Sequence, residues 1–422
     1  MALARFATPT VQPPTGGSKP CCTCGLGTDT HWMVGWSTER TVLAACTMAF
    51  FATMVARLVI SPVVPAISSE FDVSSSLIGL ALTGMWLAYA LSQFPSGLLG
   101  DRFGERFVIL IAVGGTAVGS LLLAVSPVFG AFVLFTFVLG AAAGLHFSVA
   151  TTLLSRNFEH TGTAIGIHTA GGPAAGLLAP VTAGYVGSLL SWRHAVALGG
   201  LAAVPTLLFV AYGIPKRGPL RPDEPIRKRV DSSVLFELLS RPPIAGTLLV
   251  AVLSAFVWQG TASFLPTFLV EHRDYSVPVA GGFFSMYFVS QGVGQPLMGW
   301  LSDRIGRDVA MSLCMLAGVV GYPLFVVGPG LASVAIATVL VGIAMSWGAT
   351  MLPKFLDHMS AEEEGLGFGL VRTTYMVLGA SGSVGVGLLA DLFNWATAFL
   401  VLSGILGLVL VALTGAAIRR QL

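Results

Sequence analysis

The chain has 422 residues, of which 55% are hydrophobic and only 10% charged, with a formal net charge of +2. A soluble globular domain carries about 25% charged residues, so this composition excludes an ordinary water-soluble enzyme or binding module. The small net charge gives no reason to expect a nucleic-acid partner, because what matters is where the charges lie.

Residues 1–40 are rich in Pro, Gly, Thr and Ser without apolar periodicity and read as a disordered tail. The tail lacks the basic start and apolar core of a signal peptide. Cys21, Cys22 and Cys24 cluster there with His31 nearby. They lack the paired C-x-x-C spacing of a zinc site, so no metal is assigned. Cys46 and Cys314 fall in apolar runs as small core residues.

A membrane-spanning helix needs about 20 predominantly apolar residues. Twelve such runs follow, at approximately 41–67, 76–99, 107–127, 129–152, 163–190, 194–214, 243–269, 277–301, 309–328, 331–353, 365–390 and 395–418. The first contains Arg57, followed by Ser61-Pro62 and Pro65, which predict a bend near its outer end. Arg57 lies about 25 Å along the helix from Arg40 at 1.5 Å per residue. No Asp or Glu occupies the middle of any run to pair with it, so a substrate role competes with a structural one.

Between the second and third runs stands Gly97-Leu98-Leu99-Gly100-Asp101-Arg102-Phe103-Gly104-Glu105-Arg106. Between the eighth and ninth stands Gly299-Trp300-Leu301-Ser302-Asp303-Arg304-Ile305-Gly306-Arg307-Asp308, 202 residues further on. Charge is costly in hydrocarbon, so each cluster is expected to form a short loop at the membrane surface. The repeat extends beyond the loops. Gln93 matches Gln295 at the same offset, and Gly162, Gly166, Gly184 and Trp192 match Gly365, Gly369, Gly387 and Trp395 one residue later. The chain is therefore two similar halves.

On these duplicated loops the chain resembles the major facilitator superfamily of transporters over roughly Thr41 to Ile418. The resemblance implies an all-α integral membrane protein with twelve transmembrane helices in two pseudo-symmetric six-helix bundles. It assigns 41–214 and 242–418 to the bundles, 215–241 to a linker and 419–422 to the C-terminus. It makes Asp101, Arg102 and Arg106, with Asp303, Arg304 and Arg307, conformational latches. The linker is basic, with Lys216, Arg217, Arg221, Arg227, Lys228 and Arg229, as expected beside anionic headgroups. If the first helix starts inside, only Arg193 and Arg273 of the 22 Lys and Arg fall outside, and only Arg57 and Arg372 within helices. That bias puts both termini in the cytoplasm and the protein in the plasma or inner membrane.

In the fourth run Gly140 and Gly144 precede His146, and Thr136 stands where proton-coupled relatives often carry an Arg. In the fifth, Gly172-Pro173 and Gly176 resemble the core of the antiporter motif of drug-efflux members, with His168 replacing an earlier glycine. They are read equally as a helix bend. His146 and His168 are candidate coupling residues if they titrate. Gln259 and Gln291 are polar groups suited to a wet cavity. Arg372 lies seven residues after Gly365, hence about 10 Å into its helix, and either meets substrate or pairs with Glu362, Glu363 or Glu364. A guanidinium fork matches carboxylate or phosphate oxygens, and Arg57 with Pro65 resembles the first helix of organic-phosphate and organic-anion transporters. The expected function is secondary active transport of a small anion, with a proton or counter-anion as coupling ion and a monomer in the bilayer. The rivals are efflux of hydrophobic or cationic compounds and a non-transporting sensor on the same fold. No catalytic arrangement or cofactor site is read.

Overall fold

In the computed structural model the described residues are 38–216, 218, 237–360 and 364–421. The cysteine cluster of the tail, Glu362, Glu363 and most of the 215–241 linker lie outside them. Among the described residues every regular element is helical. Residues 38–40, expected in the disordered tail, already belong to the first helix.

The helix α1 (Thr38–Leu58) passes through a 3-10 turn at Ser61–Val63 into α2 (Val64–Phe71). Pro62 and Pro65 stand in the first turns of these two elements, where the missing N–H is least costly. Next come α3 (Ser75–Phe103), α4 (Glu105–Ala124), α5 (Phe129–Gly144) and α6 (His146–Asn157). The half ends with α7 (Thr161–Thr169), α8 (Gly171–Leu189) and α9 (Trp192–Gly213). The second half has α10 (Pro242–Glu271), α11 (Val277–Ile305), α12 (Arg307–Val327), α13 (Gly330–Ala344) and α14 (Gly348–Leu356). It closes with α15 (Glu364–Gly379), α16 (Gly382–Leu392) and α17 (Trp395–Gln421).

Among the described residues ten stretches are long and apolar enough to cross a membrane unaided. The pair α7–α8 and the more polar α11 complete the twelve. The fourth, fifth, tenth and eleventh spans are each broken, so the interruptions repeat between halves. The break at Ala170 immediately precedes Gly171-Gly172-Pro173, where Pro173 has no N–H to offer the helical ladder.

The charged clusters are not loops. Asp101–Phe103 and Asp303–Ile305 remain in the last turns of α3 and α11. A single glycine makes each reversal: Gly104 at φ +93° and Gly306 at φ +91°, a region that side chains with a Cβ rarely adopt. Helix formation satisfies more backbone groups than an open loop, which explains the difference from expectation.

At the opposite end, called here the far end, the duplicated tryptophans each find a carboxylate. Trp192 Nε1 donates to Glu70, and Trp395 Nε1 donates to Glu271 at 2.7 Å. Arg193 pairs with Glu70 at 2.8 Å and donates to the Ser126 carbonyl at 3.0 Å, while Arg273 donates to the carbonyls of Val326 and Gly328.

The halves meet where α8 packs on α11 and α3 packs on α15 and α16. Far-end hydrogen bonds run from Ser61 Oγ to the Ser263 carbonyl at 2.8 Å, and from Ser75 and Ser76 backbone N–H to Asp391 at 3.0 and 2.8 Å. Thr83 Oγ1 donates to the Ala380 carbonyl at 3.0 Å. Small residues permit this approach. A Cβ on Gly79 would stand 2.5 Å from the Ser383 carbonyl oxygen, and one on Gly387 would stand 2.4 Å from that of Ser75.

Candidate functional site

Arg57 falls in the last turn of α1, roughly midway through the first span, and is only 2% exposed. Its Nε donates to the Thr53 carbonyl at 3.0 Å and its NH2 to Met54 Sδ at 2.8 Å. Rings of α3 cover the guanidinium: its Cζ lies 3.9 Å from the Tyr89 centroid and 4.9 Å from that of Trp86. NH1 is buried without a partner. Such cation–π contacts contribute on the order of 0.5–2 kcal/mol each. Burying the charge costs several kcal/mol. The site therefore holds the cation without fully compensating it.

Arg372 enters from the other half on α15. Its Cζ lies 4.3 Å from the Phe147 centroid on α6, and its buried Nε has no partner. Neither arginine pairs with a carboxylate among the described side chains, which do not include those of Glu362, Glu363 and Glu364. Tyr375 lies one turn along α15 from Arg372. Its ring meets Trp347 edge-on at 5.8 Å. Across the halves Trp86 meets Trp258 edge-on at 5.3 Å. Aromatic contacts thus cross between the halves at Trp86–Trp258 and at Phe147–Arg372.

His146 and His168 come together, as their positions on consecutive spans suggest. Their ring centroids are 5.4 Å apart, and both side chains are fully buried. His146 Nε2 lies 3.2 Å from the Cys46 carbonyl, so this nitrogen carries the proton and donates. His146 Nδ1 and both nitrogens of His168 lack partners. Phe50 packs against both histidines and Phe147, which joins this pair to Arg372.

Gln259 is buried beside Trp258, with Oε1 unpartnered. Gln291 is engaged differently: its Nε2 donates to the Met345 carbonyl at 2.9 Å, holding the turn between α13 and α14. Gly172, Pro173 and Gly176 mark close helix contacts. A Cβ on Gly172 would meet Phe50 at 3.1 Å, one on Gly176 would meet Phe288 at 2.4 Å, and Pro173 lies beside Gly292.

The residues expected to act as latches cluster at the ends of α3 and α11 and the starts of α4 and α12. Arg102 covers the Phe103 ring at 5.5 Å and Arg304 the Trp300 ring at 4.0 Å. Arg106 donates to the Ala211 carbonyl, and Arg307 pairs with Asp303 at 2.6 Å and Asp357 at 3.4 Å. Asp101 occupies the last turn of α3. A duplicated pair escaped the sequence reading: Glu105 with Arg156, and Asp308 with Lys354. Each ties the start of the third span of its half to the end of the fourth. A small pocket of about 10 Å³ beside Glu105, Arg106 and Asn157 belongs to this end of the molecule.

Sequence reasoning also missed Trp86, Tyr89, Phe147 and Tyr375. The signal available was Trp86-x-x-Tyr89, two aromatics one turn apart on an otherwise aliphatic span.

Comparison with known proteins agrees with this architecture. Over 268 residues the chain is 26% identical to an uncharacterized MFS-type transporter, YceJ, of Bacillus subtilis, covering 61% of this chain and 65% of that protein. This match spans slightly less than two thirds of the relative's length. The Bacillus subtilis glycerol-3-phosphate transporter is 23% identical over 388 residues, covering 82% of this chain and 85% of its own. A solved bacterial homolog of the human lysosomal transporter Spinster shares the fold at a TM-score of 0.72 and 18% identity, over 91% of this chain and 96% of that one. The sequence model of the Major Facilitator Superfamily matches residues 46–288 and 247–420. With its duplicated glycine reversals and twelve spans, the chain is a multi-pass membrane protein that belongs to the major facilitator superfamily.

Proposed function

We propose that the chain is a secondary active transporter that carries a small anion by alternating access. One observation carries the reading. Two guanidinium groups, one from each half, hold buried unpartnered N–H groups and have no carboxylate partner among the described side chains. An arriving anion would supply the missing acceptor and offset part of the burial cost. The similarity to a glycerol-3-phosphate transporter supports an anionic cargo.

In this scheme the halves rock about the site. The far-end contacts at Ser61, Ser75, Ser76 and Thr83 separate in one phase of the cycle, while Asp101, Arg102, Arg106, Asp303, Arg304 and Arg307 act as latches at the other end. His146 and His168 carry protons if the transport is proton-coupled; otherwise a counter-anion completes an exchange. The Lys and Arg bias supports cytoplasmic termini in a cell membrane, with the monomer as the working unit.

The test is counterflow in proteoliposomes loaded with carboxylates, phosphate esters and inorganic anions. Saturable accumulation of a labelled anion, lost in Arg57→Ala, is the expected result. Counterflow of cations or neutral solutes alone would overturn the reading.

A further inference from the structure

We infer that the anion accepted at Arg57 and Arg372 is a monocarboxylate bearing a planar aromatic group, rather than a phosphate ester; this inference rests on the anion reading above. The argument begins with the donors. Two of the three nitrogens of Arg57 are already engaged, by the Thr53 carbonyl and by Met54 Sδ, which leaves NH1. The faces of its guanidinium are occupied by Tyr89 and Trp86. A phosphate ester has three terminal oxygens and up to two charges, and commonly takes helix N-termini or bidentate arginines. One free nitrogen on Arg57 and the ring-covered fork of Arg372 suit the two oxygens of a carboxylate better.

The walls point the same way. Trp86 and Tyr89 cover Arg57 and Phe147 covers Arg372; Trp86 meets Trp258 across the halves, and Trp347 meets Tyr375 within the second. Thioethers add to them: Met54 meets Arg57, and Met376 lies 3.4 Å from Gln93 Nε2. Sulfur and π faces are soft, adaptable partners for a flat apolar group and poor partners for the hydroxyls of a sugar or glycerol. Phe147, Trp258 and Arg372 are only half-buried, so they retain surface for a ligand to cover. Trp347 Nε1 and Gln259 Oε1 are buried and unpartnered, one donor and one acceptor that a ring substituent could meet.

The test uses the purified full-length protein and four probes: sodium benzoate, sodium acetate, glycerol 3-phosphate and inorganic phosphate. Equilibrium affinity is measured by titration, with shift of the thermal midpoint as a second readout. Benzoate should bind at least about ten-fold tighter than acetate or glycerol 3-phosphate, because ring contacts add to the shared carboxylate contact. Trp86→Leu, which keeps apolar bulk, should bring the benzoate-to-acetate ratio towards one. Trp258→Leu serves as the second variant should Trp86→Leu fold poorly. Tighter binding of glycerol 3-phosphate or phosphate would overturn the aromatic class and leave the anion reading standing. Binding of neutral benzyl alcohol with no binding of any anion would overturn both, as would the absence of binding by every probe.

Discussion

The carboxylate of Asp391 accepts the backbone N–H of Ser76 at 2.8 Å, joining residues 315 positions apart across the two halves. Its other oxygen takes the Ser75 N–H at 3.0 Å, so a side chain of the second half caps the N-terminus of α3 in the first. An anion at a helix N-terminus contributes roughly 0.3–1 kcal/mol when exposed, and Asp391 is exposed. The contact is thus strong enough to bias a gate and weak enough to break in each cycle.

Asp391→Ala should favour the state with the far end open by up to about five-fold, the equivalent of 1 kcal/mol. Single cysteines at Thr83, in an otherwise cysteine-free chain, would report this as faster labelling by an impermeant thiol reagent. An unchanged labelling rate would remove Asp391 from the gate.

Packing gives a sharper contrast. A Cβ on Gly140 would stand 2.0 Å from the Met85 carbonyl oxygen and 2.9 Å from its Cα, whereas one on Gly130 of the same helix meets nothing within 4 Å. Gly140→Ala should therefore destabilise by on the order of 1–3 kcal/mol through overpacking, and Gly130→Ala should be neutral or stabilising. Thermal midpoints of the two purified variants decide this, and equal midpoints would contradict the packing of α3 on α5.

Much of the architecture is legible in the sequence because membrane spans obey a length and polarity rule that needs no tertiary information. The positive φ at Gly104 and Gly306 realises a repeat visible in the residues alone. Arg57 was conspicuous as a charge in an apolar run. What covers it was not, because an aromatic residue in a spanning helix faces lipid or protein with the same periodicity. The Trp86-x-x-Tyr89 spacing marks the two as neighbours on one helix face but not as the cover of Arg57. The Glu70–Trp192 and Glu271–Trp395 bonds join residues 122 and 124 apart, so the matched tryptophans were visible and their partners were not. The two charged clusters read as loops on polarity alone, whereas one further helical turn satisfies more backbone groups.

The duplicated ion pairs predict coupling within each half. Glu105 is 6% exposed and its partner Arg156 is half-exposed, so the pair is screened and its coupling is expected at about 0.5–1 kcal/mol. In a double-mutant cycle on turnover, Glu105→Gln and Arg156→Gln should be less than additive. The charge-swapped double variant should recover part of the loss. Full additivity would show that the two residues act independently.

The histidine pair has a separable prediction. If His146 and His168 carry protons, the double variant His146→Gln, His168→Gln should lose the stimulation of uptake by an imposed proton gradient while retaining anion exchange. Unpartnered buried nitrogens also make an apolar replacement tolerable, so His168→Leu should fold as well as the parent. Gradient-driven uptake that persists in the double variant would rule out these histidines as the proton site.

The anion affinity of purified Arg57→Ala and Arg57→Lys, set beside their thermal midpoints, tests the central claim most directly. Benzoate, glycerol 3-phosphate and phosphate are titrated against each, using whichever binds the parent best. Arg57→Ala should lose roughly 2–5 kcal/mol of binding, the usual cost of truncating one partner of a buried charged hydrogen bond. Arg57→Lys keeps the charge but not the planar fork and should fall between the two. The midpoint of Arg57→Ala should equal or exceed the parent's, because an incompletely compensated buried charge is gone. Undiminished anion affinity in a well-folded Arg57→Ala would contradict the account.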